Sequence, residues 1–287
     1  MPWVNYHSHT KYCDGTDEAA VYAETAQQLG MLAYGFSTHS PVPFENAWSI
    51  KDHDVAQYLQ DVNALKEKYV GQLDIYLSME VDYVPNMTGV YDYFISNLGL
   101  DYTVGSVHFV DAFPDGRPWE IDGATTLFEK GLSDIFGNNI QAAVKRYFDI
   151  SREMLATACP TIVGHIDKIK MHNTVKPFFD EQEDWYRNEV MATLEVLANT
   201  NAIMEVNTRG IYKKYTLEPY PSPWIINAAY EMGIPVVINS DAHHPREILG
   251  EFEKAATIVS AAGYKTLRVL LNGQWQDRPF NQQGIII

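Results

Sequence analysis

Six of the nine histidines stand where short apolar, strand-like runs end, and three carboxylates share that position. His7-Ser8-His9 closes the first run, and Asp14 follows a few residues later. His39 follows the run 33–37, Glu80 follows 75–79, and His108 follows 102–107. His165 comes after 161–164, and Asp241 and His243 come after 235–240. Imidazole nitrogens and carboxylate oxygens are ligands of zinc, manganese and iron. Nine such groups exceed the needs of one ion, so the pattern predicts a multinuclear metal site.

Residues this far apart in sequence need a scaffold that brings strand ends together. The chain reads as a repeat of strand then helix. Strands are expected over 4–7, 32–37, 73–81, 102–109, 161–166, 202–207 and 235–239. Helices are expected around 19–29, 52–70, 90–98, in several pieces up to 158 including 127–136, and then over 184–200, 223–232 and 253–262. The strand candidates are continuous apolar runs rather than alternating ones, as in a parallel sheet covered on both faces. Seven β/α units result, with no linker or low-complexity tract between them, so residues 1–287 read as one barrel domain. The longest irregular stretches, 40–51, 111–124 and 169–183, each follow the C-terminal end of a strand, where barrel active-site loops belong.

Bulk composition narrows the partners. At 287 residues with 46% hydrophobic content the chain can bury a full core, and no apolar stretch approaches membrane-spanning length. The first strand begins at once, leaving no room for a signal peptide, and Cys13 and Cys159 alone argue against a disulfide framework. A cytoplasmic location is therefore expected. The formal net charge of −16 disfavours nucleic acid and anionic membranes, which are held by fields of Lys and Arg. It does not disfavour a small phosphorylated metabolite, because divalent ions concentrate positive charge locally.

Each motif is weak alone. Alternate residues of a strand point to one side, which suits His7 and His9, or Asp241 and His243, as ligand pairs. His53 reads as part of a solvated helix start, His244 points away from the ligand pair, and His172 is a candidate to reach substrate from its loop. Asp14-Gly15-Thr16 resembles part of an aspartate-nucleophile phosphatase motif, but Tyr12 occupies the nucleophile position. There is no phosphate-cradling G-x-x-x-x-G-K-[ST] loop and no G-x-S-x-G elbow. By exclusion the nucleophile is metal-activated water.

His7-x-His9, Asp14, His39, Glu80, His108, His165 and Asp241-x-His243, in this order, resemble the polymerase-and-histidinol-phosphatase (PHP) family over essentially the whole chain. The segments NYHSHTKYCDG, GFSTHSPVPF, GSVHF, VGHIDKIK, EVNTRG and INSDAHHP are most similar to its histidinol-phosphatase branch. The resemblance implies a distorted (β/α)7 TIM-like barrel with three divalent ions, Zn, Mn or Fe, at the C-terminal ends of the strands. It implies one ion on His7, His9, Glu80 and Asp241, a second on Glu80, His108 and His165, and a third on Asp14, His39 and His243. Glu80 would bridge the first two. The implied reaction is hydrolysis of L-histidinol phosphate, in histidine biosynthesis, by in-line attack of metal-activated hydroxide. Asp241, His243 and metal-bound water all remain open as the general acid.

Guanidinium matches phosphate bidentately, so Arg209 is the first candidate phosphate clamp and Arg117 the second, with Lys168 and Lys170 behind them. Phe44, Trp48, Tyr83 and Phe109 are candidates to pack an imidazole ring. Another small phosphate ester is the nearest alternative substrate. An amidohydrolase-type barrel, which also begins with His-x-His, would ask for a bridging Lys at strand four, where this chain has His108. A non-catalytic binding module and a polymerase-associated nuclease complete the alternatives. Oligomeric state is left open by the sequence.

Overall fold

The computed structural model describes residues 2–287. Seven parallel strands form the central sheet, in the order β1 (Val4–Asn5), β2 (Ala33–His39), β3 (Asp74–Asp82), β4 (Val104–Ser106), β7 (Ile162–Val163), β8 (Ile203–Asn207) and β9 (Val236–Asn239). Every residue of β2 and β9 is buried, as in parallel strands covered on both faces. The sheet curls into a barrel, but β9 and β1 share no ladder. Their ends are joined by a single bridge, Ser8 to Ala242, and by side chains: Asn239 Oδ1 accepts from Tyr6 N at 2.8 Å and Asn5 Oδ1 from Ser240 N at 3.3 Å. The (β/α)7 barrel is thus closed at this point by a polar seam in place of a ladder.

Helices intervene between the strands, most of them where the periodicity predicts. They are α1 (Ala19–Gln28), α2 (Asp52–Lys68), α3 (Tyr93–Ser96), α4 (Thr125–Phe136), α5 (Ile140–Thr157), α6 (Asp184–Ala198), α7 (Arg209–Tyr212), α8 (Pro223–Glu231) and α9 (Phe252–Ala261). Asn139 caps α5 by accepting from Ala142 N at 3.0 Å, and Pro223 opens α8 where no backbone donor is needed. No helix among the described residues is long and apolar enough to cross a membrane.

Three segments depart from expectation. The helix expected over 90–98 is only the single turn α3, because Tyr91, Tyr93 and Phe94 face solvent and give it no stripe to bury. The strand expected over 102–109 breaks after Ser106. Its remainder leaves the barrel as β5 (Phe109–Ala112) and pairs antiparallel with β6 (Pro118–Glu120), inside the stretch expected to be irregular. Finally, residues beyond α9, for which the pattern predicted nothing, form an antiparallel sheet of β10 (Thr266–Leu271), β11 (Gln274–Asn281) and β12 (Gly284–Ile285). That sheet closes the N-terminal end of the barrel. Trp275 packs edge-on against Tyr6 and Tyr102, and the Tyr6 hydroxyl bonds both N and O of Leu270 at 2.8 Å. With one end sealed by aromatic packing, the opposite end is left for chemistry.

Candidate metal centre

The β2–β3 register places His39 beside Glu80, and β4 follows so that Glu80 pairs with Val104 and Asp82 with Ser106. Glu80 thereby sits at the centre of the open end of the barrel, 1% exposed. Its Oε2 lies 3.1 Å from His7 Nε2, 3.4 Å from His9 Nε2 and 3.1 Å from His39 Nδ1. Its Oε1 lies 3.1 Å from His165 Nε2 and 3.7 Å from His108 Nε2. Asp241 Oδ1 completes the first group, 3.2 Å from His9 Nε2 and 3.9 Å from His7 Nε2. Asp14 lies across the pocket, 3.1 Å from His243 Nε2 and 3.8 Å from His39 Nε2. All nine side chains singled out in the sequence therefore meet in one pocket or immediately behind it.

Their donor atoms fall into four overlapping groups compact enough to hold a metal ion: His9, Asp14, His39 and His243; His7, Glu80 and His165; His7, His9 and Asp241; and His39, Glu80 and His108. His7 Nε2, His9 Nε2 and His39 Nδ1 are fully buried and have no hydrogen-bond partner among the described residues. Buried imidazole nitrogens facing carboxylates without a donated hydrogen bond are what a divalent metal site requires. The donor set fits divalent metal ions.

The site's shape depends on residues behind it. His7 Nδ1 lies 2.6 Å from Glu205 Oε1, and His108 Nδ1 lies 2.7 Å from Asp82 Oδ1. Ser106 Oγ donates to Glu80 Oε1 at 2.5 Å. Asp241 adopts the left-handed conformation at φ 54°, and its carbonyl accepts from Arg209 Nη1 and from the Tyr212 hydroxyl, both at 3.0 Å. That conformation is tolerated by Asp and is typical of functional sites. Neither Glu205 nor Asp82 was singled out from sequence. The available signal was an acid inside an otherwise apolar buried strand: Glu205 within Ile203–Asn207, and Asp82 two residues past Glu80 on the same side of β3.

Electrostatics divide the histidines into two kinds. Burial opposes protonation of His7, yet Glu205, Glu80 and Asp241 together hold it well above the ordinary imidazole value. His108 is likewise opposed by burial and pushed up to about 10 by Asp82, Asp122 and Glu80. His243 is pushed down to about 4 by burial, His9 and Arg209, and His39 is held low by burial and His9. Against the cost of burial, His7, His39 and His108 keep the Glu80 carboxyl well below its usual range.

The substrate-side expectations fare unevenly. Arg209 lines the pocket, with Nη1 2.6 Å from His243 Nδ1. Arg117 does not: it lies on the β5–β6 turn, its side chain 71% exposed and paired with Asp115. His172 is also excluded. It is buried behind the pocket, with Nδ1 3.1 Å from Thr125 Oγ1, Nε2 3.0 Å from the Ile121 carbonyl and its ring against Phe128. Both corrections have one cause, the unanticipated hairpin, which carries Arg117 outward and packs Ile121 over His172. Lys168 does line the pocket, whereas Lys170 is buried against Asp167 and Glu218. Of the four aromatics, Trp48 reaches the pocket, its ring 4.4 Å from His39. Phe44 and Phe109 pack on each other beside it, and Tyr83 bonds Glu153 on α5. Glu120, Asp122, Met171 and Tyr215 also line the cavity and were not foreseen.

The chain is similar to known proteins in sequence and in fold. A family model described as PHP domain matches residues 5–209. The chain belongs to the PHP domain family. Asp241 and His243 lie beyond the matched span and reach the PHP site through the β9–β1 seam. Bacillus subtilis histidinol-phosphatase is 28% identical over 257 residues, covering 84% of this chain and 94% of the relative. A Deinococcus radiodurans protein named "Probable histidinol-phosphatase" is 27% identical over 264 residues, 91% of this chain and 94% of the relative. Among solved structures, the hisK protein of Listeria monocytogenes superposes with a TM-score of 0.76 at 23% identity, covering 88% of this chain and 99% of that one. Histidinol phosphate phosphatase from Lactococcus lactis, solved with zinc, L-histidinol and phosphate, superposes at 0.67 with 18% identity and covers 99% of both chains. These superpositions share the TIM-like PHP barrel with this chain.

Proposed function

We propose that this chain is a metal-dependent phosphomonoesterase that hydrolyses L-histidinol phosphate to L-histidinol and phosphate in the cytoplasm, as a step of histidine biosynthesis. The observation that carries the reading is the placement of Glu80, whose two oxygens face two separate histidine groups beside a guanidinium in one pocket. The names of the curated relatives support the choice of substrate. Residues 1–287 act as one catalytic unit, since the C-terminal sheet is tied to the barrel through Tyr6. Both cysteines are free, as suits a reducing compartment.

Three ions would be held, as the family resemblance implies, by His7, His9, Glu80 and Asp241, by Glu80, His108 and His165, and by Asp14, His39 and His243, whose facing atoms lie within 4 Å of a carboxylate of their set; zinc, manganese and iron all suit these donors. When bound, such ions supply an activated water and screen phosphate charge. The chain's own residues do the rest. Arg209 binds the phosphoryl oxygens, while Glu205 and Asp82 fix the orientation of His7 and His108. Asp241 and His243 stand where a proton could pass to the departing alkoxide.

The test is phosphate release from L-histidinol phosphate and from a panel of sugar, nucleoside and amino-acid phosphates, before and after chelation. A kcat/KM above about 10⁴ M⁻¹s⁻¹ for histidinol phosphate, abolished by chelator and restored by metal, is expected. Even, slow turnover across the panel would remove this substrate. Full activity in chelator would remove the metal.

A further inference from the structure

His39 differs from His7 and His108 in how its ring is held. Each of those two turns Nδ1 to a carboxylate behind the site, which leaves Nε2 for a metal ion. His39 has no such support. Its Nδ1 faces Glu80 Oε2 at 3.1 Å without a hydrogen bond, and its Nε2 lies 3.8 Å from Asp14 Oδ1. Both nitrogens point at metal-holding carboxylates, and the ring belongs to two of the compact donor groups, one with Asp14 and His243 and one with Glu80 and His108. The torsion that turns an imidazole ring is broad and roughly two-fold, so packing must choose the orientation. The His9 ring lies 4.2 Å from that of His39, and the Trp48 ring lies 4.4 Å from it. His9 is itself in a metal-holding group; Trp48 is in none.

Trp48 is fixed by its own loop and by the hairpin. Asn46 Oδ1 accepts from Trp48 N at 3.0 Å and from Ser49 N at 2.7 Å, and Ile50 N returns to the His39 carbonyl at 3.2 Å, closing the loop at its neck. The indole stacks on Phe109 of β5 at an interplanar angle of 11°, and it donates a hydrogen bond to the Glu120 carboxyl at the end of β6. The β5–β6 hairpin thus grips Trp48, and Trp48 meets the His39 ring edge-on. We infer that Trp48 is a positioning residue of the metal centre, whose indole holds the His39 ring with Nε2 toward Asp14 and His243. This rests on the metal-dependent reading and deepens it: the ion on Asp14, His39 and His243 depends on Trp48, and the ions on Glu80 do not.

The test is the zinc content of the loaded full-length protein across a graded series of chelator concentrations. His39→Ala identifies the ion concerned as the one it loses. Trp48→Leu is expected to weaken that same ion by about tenfold or more, as for other groups that orient metal ligands, and to leave the remaining ions within about threefold of the parent. Trp48→Phe keeps a ring edge and should recover most of the loss. Parent-like affinity for every ion in Trp48→Leu overturns the inference, even where KM rises, and leaves Trp48 as a wall of the substrate cavity. Equal weakening of all the ions also overturns it, since a merely structural loss gives that result, and so does a His39→Ala protein that keeps every ion. Should Trp48→Leu fail to fold, Asn46→Ala decides, because it loosens the turn and keeps every ring. A selective loss of about threefold or more on the same ion is then expected, and parent-like affinity overturns the inference. A parent that holds no zinc fails the metal-dependent reading itself, and with it the ion that Trp48 would serve.

Discussion

Glu205 Oε1 lies 2.6 Å from Nδ1 of His7, and neither side chain reaches solvent. The contact holds Nδ1 as the donor, so that Nε2, once it loses its proton, is the ligand atom facing Glu80 and Asp241. Glu205 also accepts from His165 N at 2.9 Å and from the side-chain amides of Asn207 and Asn239 at 3.0 Å. One carboxylate thus sets the orientation of ligands from two strands and of the seam beside them.

Replacing Glu205 with Gln should therefore weaken metal binding by about 10–100-fold while the fold persists. Metal content after equilibration against a graded series of chelator concentrations reads this directly. Retention equal to the parent's would show that Glu205 does not orient His7.

Arg209 lines the pocket beside His243 as the proposed phosphate clamp, and no other guanidinium lines it among the described residues. Arg209→Ala should lower kcat/KM by about 10²-fold, with Arg209→Lys recovering part of the loss because a point charge replaces a bidentate fork. Kinetics within about twofold of the parent for the Ala variant would end its role as a clamp.

Metal binding should release protons at neutral pH. His7 and His108 are both held above the ordinary value in the metal-free chain, His108 at about 10, and each must be neutral to act as a ligand. Apparent affinity should rise between pH 6 and pH 9, and titration calorimetry in buffers of different ionisation enthalpy should give different apparent heats. The sign for stability follows from the same shift. The paired His108 contributes fully below its unfolded pKa near 6.5, and the contribution fades as pH rises through about 10. The metal-free protein should lose Tm over that interval more than the metal-loaded protein does. Identical heats in all buffers would mean that the ligands bind metal without losing protons.

Gly164 connects packing to the site. A Cβ at this position would stand 2.3 Å from Ser106 Oγ and 3.3 Å from Val104 Cγ1. Ser106 Oγ is the group that donates to Glu80 Oε1. Gly164→Ala should cost about 1–3 kcal/mol by overpacking and should reduce metal occupancy as well, because Ser106 must move. Denaturant unfolding of the metal-free protein, with metal content measured in parallel, separates the two effects. Lost stability with unchanged occupancy would show that Ser106 is not needed to hold Glu80.

The barrel was legible in the sequence because parallel strands buried on both faces must be continuous apolar runs, and their ends are where polar ligands first become affordable. Local pattern thus determined the β/α repeat, the positions of the nine ligand candidates and the prominence of Arg209. It could not determine which oxygen of Glu80 faces which histidine, because that depends on the His39–Glu80 and Asp82–Ser106 registers between strands. Nor could it reveal that Glu205 lies behind His7, a contact across 198 residues, or that the β5–β6 hairpin sends Arg117 to solvent while delivering Glu120 and Asp122 to the pocket. A side chain's type and period are local properties. Its partner across the barrel is set by strand order, register and closure, and only the tertiary structure supplies those.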